Sequence, residues 1–285
     1  MIASAVFLVS ALTALSAPIA LENGALEIQV QPETFAIVSF RALTESNFVM
    51  PLPVSGDAAQ AAEWLDPGGL VTDVLPSGEQ DAALRRGPAA VVEREEGRIV
   101  LEGPVSAVSG LRLRKEIILG PRGDPSARFR VTVFATRSEA QRVYVRNTVR
   151  LPGRSTLRVA RRDGTIRPLA GAESIYPAVV KSLDYWLIPV PPTAAMKGVV
   201  LGALSSGLHE TRGRAVWVRR VALPLADASA YDHGVNVLCL LDTPSGTFGA
   251  ALQGCWAEVS VSCPLVFEEE WRVASRARLD GGERP

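Results

Sequence analysis

The sequence predicts an all-β protein, folded as one large antiparallel β-sandwich. Two patterns and one absence support this. Past residue 20, apolar and polar residues alternate with period two, as in strands that bury one face. The alternating runs are short and are broken by turn chemistry: PRGDP at 121–125, LPGR at 151–154, RDG at 162–164 and TPSG at 243–246. No helical period intervenes, so βαβ units are excluded.

The expected strands follow in order. Ala25–Gln31 and Phe35–Arg41 open the series on either side of a Pro-containing turn. Arg98–Glu102, Leu111–Leu119, Arg128–Ala135, Arg142–Arg150 and Thr156–Ala160 come next. Tyr185–Val190, Gly198–Leu204, Ala215–Ala222, Val235–Asp242, Thr247–Leu252, Trp256–Ser262 and Leu265–Val273 complete it. Only Gly56–Leu65 has the composition of a helix, within a long irregular excursion over residues 51–90. The five tryptophans follow no period, which argues against a propeller or solenoid.

The chain has 285 residues, and its 30 cations balance its 30 acids. That balance provides no basic field to favour nucleic acid. A hydrophobic fraction of 47% excludes a disordered chain. Only Lys115, Lys181 and Lys197 among the cations are lysines. Cys239, Cys255 and Cys263 have neither CxxC nor Cys/His zinc spacing, so no metal site is expected, and at most one disulfide can form among them. There is no P-loop, GxSxG, HExxH or GxGxxG in a strand–helix context, so no cofactor is expected.

Met1–Ala17 (MIASAVFLVSALTALSA) is apolar and uncharged, too short to span a bilayer before Pro18 and Glu22. It reads as a secretory leader, with Ala14 and Ser16 as the small residues of a cleavage site. The expected organisation is a leader over 1–20 and a single sandwich domain over 21–285, periplasmic or secreted, without a stable transmembrane anchor.

Three segments carry a resemblance. LENGALEIQVQPETFAIVSF places an Asn-Gly turn, a strand, a Pro and a second strand in succession. YVRNTVRLPGRSTLRV puts an Asn-bearing strand before another, and SCPLVFEEEWRV sits where a closing strand would. In this order the chain resembles the galactose-mutarotase-like β-supersandwiches, and especially the uncharacterised bacterial members of that superfamily. The resemblance implies a mutarotase-like sandwich and a carbohydrate partner. Mutarotases use two histidines and a glutamate. The histidines here, His209 in GLHETRGR and His233 in YDHGVN, lie in segments unlike those motifs, so no catalytic role transfers to them.

Candidate site residues come from the pattern itself. Strand parity sets Glu269 on one face with Leu265, Phe267, Trp271 and Val273. A carboxylate there either faces a wet cleft, as a sugar-holding group or general base, or pairs with a buried cation. His233 follows an aromatic residue and an acid in a loop, where an imidazole can serve acid–base chemistry. His209 is the other histidine.

Arg142, Arg146 and Arg150 share one strand face, within an arginine run that reaches Arg167 and suits an acidic glycan. Asn147 shares the opposite face with Val145 and Val149, as a buried amide or a site residue. Trp186 could present its indole to a sugar face or pack in the core.

The function these features suggest is an exported carbohydrate-recognition protein, with Arg146, Asn147 and Trp186 binding substrate. The alternative is a sugar epimerase or lyase-like enzyme using Glu269 with His233 or His209. That alternative needs the carboxylate and an imidazole within one site. An envelope scaffold without a small ligand is a third possibility.

Overall fold

A computed structural model describes residues 17–42, 48, 69–76, 81–151, 155–160, 166–170, 180–181, 184–190, 199–212, 215–221, 226–241 and 248–275. It begins with a hairpin of β1 (Ile19–Glu22) and β2 (Leu26–Gln31). Asn23 makes the turn, its Oδ1 accepting from the Ala25 and Leu26 amides at 3.0 and 2.9 Å, while Gly24 adopts φ 84°. β3 (Ala36–Ala42) and β4 (Leu70–Leu75) follow, then a one-turn helix α1 (Ala82–Arg86) that Asp81 caps through the Leu84 amide. A meander of β5 (Ala90–Glu95), β6 (Arg98–Glu102), β7 (Leu111–Leu119) and β8 (Ser126–Ala135) comes next.

The middle of the chain supplies β9 (Gln141–Leu151), β10 (Ser155–Ala160), β11 (Arg167–Ala170), β12 (Val180–Lys181), β13 (Tyr185–Val190) and β14 (Val199–Ala203). Then come β15 (Gly207–Arg212), β16 (Ala215–Val221), β17 (Val237–Leu241), β18 (Phe248–Gln253), β19 (Ala257–Val259) and β20 (Leu265–Ser275).

All pairings are antiparallel, and they build two sheets. The first runs β1-β2-β3-β4-β9-β18-β17-β14-β11, with β19 also paired to β9. The second runs β12-β13-β10-β15-β16-β20-β8-β7-β6-β5. Alternation decides what each strand buries. Ile28, Phe40, Val145, Val149 and Leu252 of the first sheet meet Leu113, Phe129, Val133, Phe267 and Trp271 of the second in one core. The outer face of the first sheet carries a smaller cluster, Val235, Leu238, Leu240 and Ala251, with Leu169 and Val200 against it. The all-β sandwich expectation holds.

Six strands lie outside the expected series: β1, β4, β5, β11, β12 and β15. β4 corrects the reading of 51–90 as an excursion, because it pairs with β9 inside the first sheet. All six of its residues are buried, so LVTDVL shows no clean alternation to read. The candidate helix Gly56–Leu65 lies outside the described residues. So do residues 1–16 of the expected leader; β1 begins at Ile19, so a boundary at residue 20 falls inside the strand, while the cleavage site marked by Ala14 and Ser16 precedes it. Among the described residues no helix is long and apolar enough to cross a membrane.

Candidate functional site

Glu269 does not face a cleft. It is 0% exposed on the core side of β20, opposite Phe129 of β8 and Val221 of β16. Arg219 of β16, equally buried, grips it: Nε donates to Oε2 at 3.1 Å, and Nη2 lies 2.9 Å from Oε2 and 3.2 Å from Oε1. Trp271 Nε1 donates to Oε2 at 2.8 Å. The guanidinium then reaches the other sheet, where Nη1 donates to the Ala250 carbonyl (2.9 Å) and Nη2 to that of Asn147 (3.1 Å). It lies 5.6 Å from the Trp217 ring centroid and 5.4 Å from that of Trp271.

Both charges are therefore paired and hydrogen-bonded, as burial of an ion pair demands. Of the two arrangements open to Glu269, this is the buried pair: a cross-sheet clamp rather than a sugar-holding carboxylate. Arg219 is the functional partner that sequence reasoning missed. Its strand offers only the parity it shares with Trp217 as a signal.

The other expected residues scatter over different layers. Asn147 is in the core, accepting from Thr72 Oγ1 at 2.8 Å, so it is the buried amide of the two readings. Trp186, half-buried on β13, packs against the same core, the packing arrangement of its two readings. His209 pairs with Arg158 and Val218 on the outer side of the second sheet, its ring 5.3 Å from that of Tyr185. Burial, with Arg220 and Arg158 nearby, pushes its pKa down to about 4, which keeps the imidazole neutral at ordinary pH.

Arg146 is on the outer face of the first sheet, with Nη2 3.3 Å from Asp73 Oδ2. Arg85 Nε meets the other Asp73 oxygen at 2.9 Å. Glu269, His209 and His233 thus occupy the core, the outer face of the second sheet and a loop over the outer face of the first. The structure does not gather them into one site.

His233 lines a cavity open to solvent. It belongs to the loop over residues 226–236, which two short 3₁₀ turns shape at Ala228–Ala230 and Asp232–Gly234. Outward-facing side chains of β9 and β18 fasten this loop. Gln253 Nε2 donates to the carbonyls of Val235 (2.6 Å) and Asp232 (3.1 Å). Tyr144 Oη donates to Asp232 Oδ2 at 2.8 Å, and Trp256, edge-on to Tyr144, donates its amide to the Ala230 carbonyl.

His233 sits at φ 52°, in the left-handed region, followed by Gly234 at φ 67°. Such a residue away from glycine costs about 1 kcal/mol or more and tends to cluster at functional sites. Its Nε2 lies 3.7 Å from Asp232 Oδ2, completing a Tyr144–Asp232–His233 series.

The cavity beside the loop measures about 480 Å³ and is open to solvent. Arg167, Ser229, Tyr231 and His233 give it polar groups, and Pro168, Leu169 and Ala228 give it apolar ones. Arg167 Nη2 donates to the His233 carbonyl. Tyr231 Oη accepts from the Ala226 amide at 3.3 Å; burial first, and the Cys255 thiol second, push its pKa up to about 12, so it stays a neutral phenol. An apolar wall with a few convergent hydrogen-bonding groups is the usual make-up of a small-molecule site. Sequence reasoning reached His233 and the arginine run, but not Tyr144 or Gln253, which act on a segment far along the chain.

No family model matches the sequence, and no curated protein matches it. Solved structures do. A galactose mutarotase-like protein from Lactobacillus casei superposes with a TM-score of 0.64 at 9% identity, covering 90% of this chain and 100% of the other. A protein provisionally designated an aldose 1-epimerase, from Escherichia coli K12, gives 0.61 at 13% identity over 90% and 99%. A galactose mutarotase-related enzyme from Lactobacillus acidophilus gives 0.59 at 8% identity over 90% and 97%. Identities this low speak for architecture alone, and on that evidence the chain has the galactose-mutarotase-like β-sandwich fold.

Proposed function

We propose that the chain is an exported carbohydrate-recognition protein whose ligand binds in the cavity beside loop 226–236. The carrying observation is the lining itself: Arg167, Ser229, Tyr231 and His233 around an apolar patch of Pro168, Leu169 and Ala228. Sugars present hydroxyls and C–H faces together, and this wall offers a counterpart to each. The names of similarly folded proteins, mutarotases and an epimerase, support a sugar as the ligand class. The uncharged apolar run Met1–Ala17 supports export.

The epimerase alternative rested on Glu269 meeting a histidine. With Glu269 bound to Arg219, no observation favours it. Calorimetric titration of the mature chain with neutral and acidic monosaccharides tests the binding reading. Heat of binding that is weakened in His233→Ala and Tyr231→Phe supports it, and silence across the whole panel overturns it. For export, residues 1–24 fused to a reporter active only outside the cytoplasm should give signal.

A further inference from the structure

We infer that the ligand of this cavity is a negatively charged sugar, carrying a carboxylate that Arg167 receives. The inference rests on the carbohydrate reading above and adds the charge of the ligand to it.

The loop sorts its charges by direction. Asp232 turns its carboxylate to the Tyr144 hydroxyl and stays out of the cavity lining, while its neighbours Tyr231, His233 and Gly234 line it. The lining therefore holds a permanent cation, Arg167, beside the His233 imidazole. It holds no carboxylate among the described residues. Asp232 Oδ2 lies 3.7 Å from His233 Nε2, behind the wall rather than in it.

Two other arginines of the run, Arg146 and Arg142, are already engaged. Arg146 faces Asp73, and Arg142 stacks 5.5 Å from the Trp256 ring centroid. Arg167 is exposed, and its one hydrogen bond among the described residues goes to a neutral acceptor, the His233 carbonyl. That bond orients the guanidinium without neutralising it. A planar fork beside a wall without acids among the described residues matches a carboxylate in two parallel bonds, which a hydroxyl cannot reproduce. The adjacent Pro168 and Leu169 leave a surface for the C–H face of the same ring.

The test is titration of the mature chain at low ionic strength, where an exposed cation is least screened. The probes are galacturonic and glucuronic acids, their methyl esters, galactose, glucose, and sodium sulfate. The acids should bind about tenfold or more tighter than the neutral sugars, as a charge-assisted contact implies. That advantage should shrink with added salt, vanish in the methyl esters, vanish in Arg167→Gln and survive in part in Arg167→Lys.

Equal affinity for acids and neutral sugars overturns the inference and leaves the carbohydrate reading standing. No binding by any sugar overturns both. Sulfate binding as tightly as the uronic acids, and in competition with them, overturns the sugar assignment in favour of a bare anion site. Should Arg167→Gln fail to fold, the methyl esters make the same comparison from the ligand side.

Discussion

At the scale of single residues, Glu269 and Arg219 are a commitment between two sheets. Glu269→Gln keeps the shape of the side chain and leaves the Arg219 cation buried without its counter-charge. Breaking a buried pair this way costs about 3–5 kcal/mol. Denaturant unfolding should show a loss of that order, with Glu269→Leu/Arg219→Met recovering much of it; a Gln variant as stable as wild type would remove the clamp from the account.

His209 gives a pH signature. Its pKa is lowered to about 4 from 6.5, so between those values the unfolded chain takes up a proton that the folded one refuses. Stability therefore falls as pH drops through that window, by up to about 1.4 kcal/mol per unit from this residue. His209→Gln should flatten the acid limb of the stability curve relative to wild type.

The sequence placed Glu269 between Phe267 and Trp271 and Asn147 between two valines, because parity is local. It could not show Arg219, 50 positions from Glu269, or the hydroxyl of Tyr144 reaching Asp232 across 88. Parity tells which face a side chain takes and says nothing of what waits there.

Among the elements, strands with one wet face were legible and those without were not. Leu111–Leu119 alternates buried and half-buried residues throughout, and its bounds match the expectation. β4 is buried along its whole length, and β5 is exposed at nearly every position on the sheet edge; each erases the alternation in its own direction. The loop over 226–236 had no period to read, and its shape comes from neighbours.

Gln253 supplies two of the bonds that hold this loop, to the Asp232 and Val235 carbonyls. Gln253→Ala should release it, at about 1 kcal/mol per lost bond. Amide exchange measured by mass spectrometry should then quicken over 226–236 while β17 and β18 keep their protection. Sugar affinity should weaken with it, if the cavity depends on the loop's shape. Uniformly faster exchange across the sheet would mean that Gln253 supports the sheet and not the loop.

For the whole molecule, the class of fold was readable and the pairing of strands was not. Fourteen strand-like runs foretold a sandwich; nothing in them foretold that β9 lies between β4 and β18, or β20 between β16 and β8. Fold also stops short of function, since one architecture hosts many chemistries. The position of β20 has a consequence in time. A ribosome delivers β8 and β16 well before residues 265–275, and until those residues emerge the second sheet exists as two separate ribbons. Arg219 must wait with them, a cation without its acid. The nascent chain therefore stays open and protease-sensitive through most of its synthesis, and limited digestion of stalled chains ending before residue 265 should show this against chains carrying all of β20 beyond the exit tunnel. Closure of the second sheet comes with the last strand.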